Sequence, residues 1–302
     1  MRIEKLVVLG VGLIGASCAL ALRAAGAVGQ VVGVGRSRGN LERALARGAI
    51  DRGLTLDEDW TREIGDADFV LIAIPVAQYR GVLAALAPAL GRGSVVTDAG
   101  STKQDVVLAA RELLGERLPR FVPGHPIAGN ERSGAEAGDA ALYVGRQVIL
   151  TPLPETATDA LARVAQFWTT CGARVAQLDA ARHDRILAAV SHLPHLLAFA
   201  LVSELASRQD SAEYLSHAGS GFRDFTRIAG SSPEMWRDIA LANRDALLVE
   251  IAAYRSALDA LALSIEHGDR AALDAMLARA ADTRRHWGET AAGVGSGADG
   301  GA

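Results

Sequence analysis

Hydrophobic residues follow two different rhythms along this chain, and the switch between them near residue 179 divides it. In the first part, short apolar runs alternate with amphipathic stretches. Residues 5–9 read as a strand, 16–25 as a helix closed by Gly26, 31–34 as a second strand and 41–47 as a helix. Residues 68–74 are almost continuously apolar, as a strand buried on both faces requires, and Pro75 ends them. Helical patterning returns at 79–90 and 102–114, on either side of a strand at 94–97. Residues 121–122, 147–150 and 174–177 read as further strands. Alternation on this scale predicts a parallel-rich, doubly wound sheet covered by helices on both faces, over residues 1–178. After Asp179 the period is helical throughout. Residues 180–207 form one long pattern, 232–266 a second and 270–287 a last. In the second, Leu247, Ile251, Tyr254, Leu258, Leu261 and Ile265 recur at alternating intervals of four and three. Such a stripe is either dry core or the seam of a dimer. An all-helical domain over 179–288 is therefore expected, followed by a disordered tail of glycine, alanine and serine over 289–302.

Composition narrows the picture. The chain has 302 residues, half of them apolar, which is enough for two domains with substantial cores. The net charge is −4 and both signs are mixed along the chain, so it offers no electrostatic footprint for nucleic acid. Residues 6–22 carry no charge, which raises the question of a signal peptide or membrane helix. Three glycines interrupt that stretch and Glu4 precedes it, so a buried strand turning into a buried helix accounts for it better. No membrane partner and a cytoplasmic location are expected. Cys18 and Cys171 then read as small buried hydrophobes in a reducing compartment.

Candidate chemistry begins with Gly10-Val11-Gly12-Leu13-Ile14-Gly15. The pattern is weak alone, but here it follows a strand, opens a helix and is trailed by a second strand, the context of a Rossmann-type dinucleotide fold. Gly10 permits the turn, Gly12 lets the backbone approach a pyrophosphate, and Gly15 lets helix pack on strand. The amides of Leu13 and Ile14 open the helix toward the phosphates. Ile74 and Pro75, leaving the next strand, are expected to line the same cofactor site. NAD usually calls for an acid at the end of the second strand. This chain has Gly35, Arg36, Ser37 and Arg38 there, donors suited to a ribose phosphate, so NADP is favoured over NAD; a merely solvated basic loop is the alternative.

Further candidates lie downstream. His125, in Gly124-His125-Pro126-Ile127-Ala128-Gly129, falls outside the helical patterns in an expected loop and is suited to accepting a hydroxyl proton. Ser101 follows a strand and either orients that imidazole or caps the next helix. His192 and His195 lie on one helical face, roughly 60° apart. With no carboxylate or thiol at ligand spacing, no metal is expected; interhelical hydrogen bonding or an anionic substrate remain open. Arg227 sits in a glycine-rich stretch, where it could clamp a carboxylate or pair with Asp224. Trp236 reads locally as core.

Taken in order, the glycine loop, the His125 segment with Glu131, Ser133 and Gly134, Ser191-His192-Leu193-Pro194-His195, and residues 221–229 through Met235-Trp236-Arg237 resemble the prephenate dehydrogenases of tyrosine biosynthesis. The resemblance implies oxidative decarboxylation of prephenate to 4-hydroxyphenylpyruvate with NAD(P). It implies that His125 meets the ring hydroxyl with help from Ser101, and that Arg227 binds a substrate carboxylate. His192, His195 and Trp236 would line the pocket and Glu131 would stand at its mouth. It also implies a homodimer formed by the C-terminal helices. Arogenate, with an amino group in place of the keto oxygen, is the alternative substrate. The chain is too short for a fused mutase or regulatory module, so neither is expected. Hydroxyacid dehydrogenases of similar layout use a lysine on the linking helix, and residues 180–207 contain none. A non-catalytic NADP sensor is the remaining alternative.

Overall fold

The structure is a computed structural model and describes residues 2–129 and 132–293. The strands β1 (Ile3–Leu9), β2 (Val28–Gly35), β3 (Arg52–Thr55), β4 (Phe69–Ile72), β5 (Val95–Asp98) and β6 (Phe121–Val122) form one parallel sheet in the order β3-β2-β1-β4-β5-β6. Between them run α1 (Leu13–Ala24), α2 (Arg38–Ala46), α3 (Tyr79–Leu86) and α4 (Gln104–Leu113). That order reverses direction beside β1, where an α/β sheet opens its ligand crevice. The expected doubly wound Rossmann-type domain is present. Alternation in β1 shows how both faces are covered. Leu6 and Val8 join a cluster with α1 and α5 (Thr158–Thr170), while Val7 and Leu9 join another with α3 and α4.

Two expectations need correcting. The edge strand β3 gave no apolar run and went unrecognised. The strands β7 (Gly124–Pro126), β8 (Gln147–Leu150) and β9 (Arg174–Gln177) form a second sheet of their own; the last two were expected as strands, the first as a loop. His125 therefore sits on a short strand and not in a loop, paired opposite Ile149. Its neighbour Pro126 has no amide to donate, which is why so short an edge strand left no sequence signal.

The long pattern at 180–207 is also not one uniform helix. It comprises α6 (Ala180–Leu187), a π-helical turn at Ala188–His192 and α7 (Leu193–Ala206). Pro194 lies just past the wide turn; it has no N–H and would crowd the carbonyl one turn back, so the backbone loosens before it. Residues 180–206 are long and apolar enough to cross a membrane by composition. They nevertheless bury His183, Asp184 and His192 in hydrogen bonds within the domain. Next come α8 (Ser211–Ser216), α9 (Ser220–Thr226) and α10 (Pro233–Ala242), whose Trp236 and Ile239 join the α3–α4 core. Asn243 then interrupts what looked like one helix, and α11 (Arg244–Glu266) follows.

The first compact unit ends at Leu247; the second holds the rest of α11 and α12 (Arg270–Gly293). Tyr254, Leu258 and Ile265 of the periodic stripe are exposed, as are Leu248, Leu277 and Trp287. Beyond Leu247, which is buried, the stripe is thus not dry core of this chain. Helix α12 reaches five residues into the segment expected to be a disordered tail, and residues 294–302 lie outside the described residues.

One ion pair holds the sheet edge together. Asp98, the last residue of β5, and Lys103 are both fully buried and 2.5 Å apart. The same carboxylate accepts from Tyr79 Oη at 3.0 Å and from the Gly100 and Gly124 amides at 2.9 Å each. Lys103→Met would leave that carboxylate buried without its cation. Breaking such a pair costs about 3–5 kcal/mol, so urea unfolding should show a loss of that order.

Candidate active site

The glycine turn joins β1 to α1. Gly10 has a φ of +98°, and a Cβ there would lie 2.2 Å from the Ala73 carbonyl oxygen, so the turn packs directly on the chain leaving β4. A Cβ at Gly15 would lie 2.2 Å from the Gly10 oxygen, where helix meets turn. Gly12 is different: nothing lies within 4 Å of its would-be Cβ. It is also the N-cap of α1, without a side chain to occupy the first amides, so those of Leu13, Ile14 and Gly15 are offered to an anion. Beside the turn is a cavity of about 270 Å³, walled in part by Gly10, Gly12, Gly35, Arg36, Ser37, Ile74 and Pro75. An open approach, oriented amides and a cavity of this kind fit a bound dinucleotide.

Not every expected contact faces that cavity. Leu13, Ile14 and Gly15 contribute backbone at the start of the helix and are not among the residues of its wall. Arg38 is directed toward β3, donating to the Gly53 oxygen, Thr55 Oγ1 and Glu58. Donors from the Thr55 backbone, the Thr55 hydroxyl and Arg38 bring the Glu58 carboxyl down to about 2. Ser37 lines the cavity and also accepts from the Asn40 amide as the N-cap of α2. Asn40 itself was missed. Its Nδ2 donates to the Val11 oxygen at 2.7 Å and its Oδ1 accepts from the Ala135 amide at 2.9 Å. It thereby ties the glycine turn to Gly134, another wall residue. A single polar residue within a short helix gave no warning of this.

A second set of groups gathers beyond the end of β5. His125 Nδ1 is 2.9 Å from His183 Nε2, and His183 Nδ1 is 2.8 Å from Asp184 Oδ1. Burial, then the neighbouring His183, Lys103 and His192, push the His125 pKa well below the usual histidine range. The ring is therefore neutral at neutral pH and available as a base. Ser101 is not the cap of the following helix: the Lys103 and Gln104 amides at the start of α4 are each held at 2.9 Å by the Asp184 carboxylate. The Ser101 backbone instead faces the His192 ring and works weakly against the lowering of its pKa by burial.

His192 is buried, and its Nδ1 lies 3.0 Å from Asn243 Nδ2, which also donates to the Asp184 oxygen at 2.8 Å. Burial brings its pKa to about 4. His195 is half-buried and stacks on Trp236 with ring centres 3.8 Å apart. Trp236 is core, as its local pattern suggested, with its indole N–H donating to Ser231 Oγ. Arg227 is exposed and stands near enough to His195 to add to the lowering of its pKa, behind burial. Contacts thus run from His125 through His183, Asp184 and Asn243 to His192, Trp236, His195 and Arg227. Of the expected site residues, Glu131 lies outside the described residues. His183, Asp184 and Asn243 were not anticipated: Arg182 and Arg185 flank the His-Asp pair, which reads locally as part of a solvated helix start.

Residues 18–177 match the family model for the prephenate dehydrogenase nucleotide-binding domain, and residues 179–279 match that for the prephenate dehydrogenase dimerization domain. The chain belongs to the prephenate dehydrogenase family. It is accordingly an oxidoreductase with a nucleotide-binding half. It is 35% identical over 247 residues to a cyclohexadienyl dehydrogenase of Zymomonas mobilis, covering 81% of this chain and 83% of that one. It superposes on a prephenate dehydrogenase from A. aeolicus, solved in complex with hydroxyphenyl propionate and NAD+, with a TM-score of 0.87 and 34% identity. That match covers 95% of this chain and 99% of the other. A Synechocystis arogenate dehydrogenase matches with a TM-score of 0.78 and 30% identity, covering 94% and 100%.

The glycines separate fold from binding. Gly15→Ala should lower the melting temperature, because its Cβ meets backbone. Gly12→Ala should melt close to the parent but bind dinucleotide at least about tenfold more weakly, measured by thermal scan and cofactor titration.

Proposed function

We propose that this chain catalyses the oxidative decarboxylation of prephenate to 4-hydroxyphenylpyruvate in tyrosine biosynthesis, with a nicotinamide dinucleotide as oxidant. The observation that carries the reading is His125: a buried, neutral imidazole joined through the Gly124 amide to the end of β5, the sheet edge that also bears the glycine turn. The nicotinamide, when bound, supplies the hydride acceptor. The residues of the chain do the rest. His125 takes the ring-hydroxyl proton as hydride leaves the same carbon, and returns it to the ring oxygen once carbon dioxide has departed and the ring is aromatic. Because aromatisation drives the reaction, the task is chiefly positioning. Ser101 orients the hydroxyl, Arg227 clamps a carboxylate, and His195 stacked on Trp236 walls the pocket. His192 lines it from behind, with its Nδ1 held by Asn243.

Arogenate is the second reading, favoured by relatives named for cyclohexadienyl and arogenate substrates; Glu131 would then meet the ammonium. For the cofactor, Gly35, Arg36 and Ser37 close the cavity at the end of the second strand, with no carboxylate among its described wall residues, which favours NADP. The A. aeolicus relative, solved with NAD+, favours the other reading. The exposed stripe of α11 and the match to a dimerization domain support a homodimer, working in the cytoplasm.

Steady-state kinetics with prephenate and arogenate, each against NAD and NADP, tests the whole reading; no cofactor reduction in any of the four mixtures refutes it. His125→Asn should lower kcat by about 10²–10⁴-fold with little change in cofactor affinity, and full turnover would make His125 a bystander. Arg36→Ala should shift the kcat/KM ratio toward NAD by about tenfold, and an untouched ratio sinks the NADP argument.

A further inference from the structure

An imidazole can act as a base only through the nitrogen that lacks a proton, so the partner on the other nitrogen decides whether His125 works at all. That partner is His183, fully buried, with Asp184 behind it and almost as deeply buried. Asp184 accepts from the Lys103 and Gln104 amides as well as facing His183 Nδ1, and its pKa lies below the ordinary carboxylate value, with those bonds outweighing its burial. An ionised carboxylate only accepts. His183 Nδ1 must then carry a hydrogen, and a neutral His183 offers its Nε2 lone pair to His125 Nδ1.

We propose that His183 and Asp184 are positioning residues that fix His125 as its Nδ1–H tautomer and leave Nε2 as the atom that receives the substrate proton. The inference rests on the reading of His125 as proton acceptor and adds which atom acts and what holds it. It also accounts for the charge left on His125 in mid-reaction, which Asp184 offsets through the intervening ring. The chain of hydrogen bonds has a polarity that protonation of His183 would reverse. His183 would then donate to His125 Nδ1, putting the His125 hydrogen on Nε2 and abolishing the base. The charged and titratable groups facing this pair are Asp98 and Lys103 from the β5–α4 segment, His192 from the π turn, and Asp184. Burial first, with Lys103 assisting, holds His183 below its usual range despite Asp184, so the chain keeps its working direction at neutral pH.

Two measurements decide the matter. Heteronuclear NMR of the full-length protein with ring-nitrogen-labelled histidine, with His125→Asn identifying the signal, should show His125 protonated at Nδ1 and bare at Nε2. A hydrogen on Nε2 overturns the proposal, even if Asp184→Asn proves too unstable to purify. In Asp184→Asn the amide can donate to His183 Nδ1 and turn the chain around. Its kcat should fall about 10²–10⁴-fold while the KM for prephenate and the cofactor Kd stay within about threefold. The His125 hydrogen should move to Nε2. A folded Asp184→Asn enzyme with parental kcat refutes the proposal. Unimpaired His125→Asn would instead refute the underlying reading of His125, so the two failures are distinguishable.

Discussion

The buried Asp98 carboxylate is the point on which the rest of the site is hung. It ends β5, neutralises the fully buried Lys103, and binds Tyr79 of α3 together with the amides of Gly100 and Gly124. A charge this deep is tolerable only when its acceptor sites are filled, and here each of those donors belongs to a segment whose placement matters. Gly124 starts the strand that carries His125. Gly100 and Lys103 bracket Ser101. Tyr79 begins the helix that follows the cavity-lining Ile74 and Pro75. One electrostatic requirement thus sets the spacing between the nucleotide crevice and the imidazole.

Asp184 repeats the arrangement from the opposite side. It caps α4 with two backbone bonds and fastens α6 against the β5–α4 segment, while turning its remaining capacity toward His183. Asn243 then joins the Asp184 carbonyl to the His192 ring. The π turn before Pro194 lets His192 and His195 leave the same helical segment for different partners, one bound into the polar framework and the other stacked on Trp236. Framework and pocket are therefore separated within four residues of chain.

The parts legible in the sequence were those with strong periodicity or obligatory residue types. The apolar runs of β1, β4 and β5 fixed the parallel sheet, and Gly10, Gly12 and Gly15 located its turn. What escaped depended on contacts between segments far apart. His183 and Asp184 act on residues roughly 60–80 positions away, and nothing local distinguishes them from a solvated pair at the start of a helix. β3 and β7 are short edge strands whose existence is decided by their partners. Arg38 looked like a donor for cofactor until Glu58, twenty residues later, proved to be its acceptor. Asn40 is similar: its partners Val11 and Ala135 lie on opposite sides of it in the chain.

The empty space above Gly12 has an evolutionary corollary. Gly10 and Gly15 are guarded by the fold, since any side chain there collides with backbone and the molecule itself suffers. Gly12 has no such guardian. Only the ligand objects to a side chain at that position, so a duplicated copy released from its metabolic duty could drift there without penalty. It would persist as an intact, well-packed protein that had lost its partner molecule.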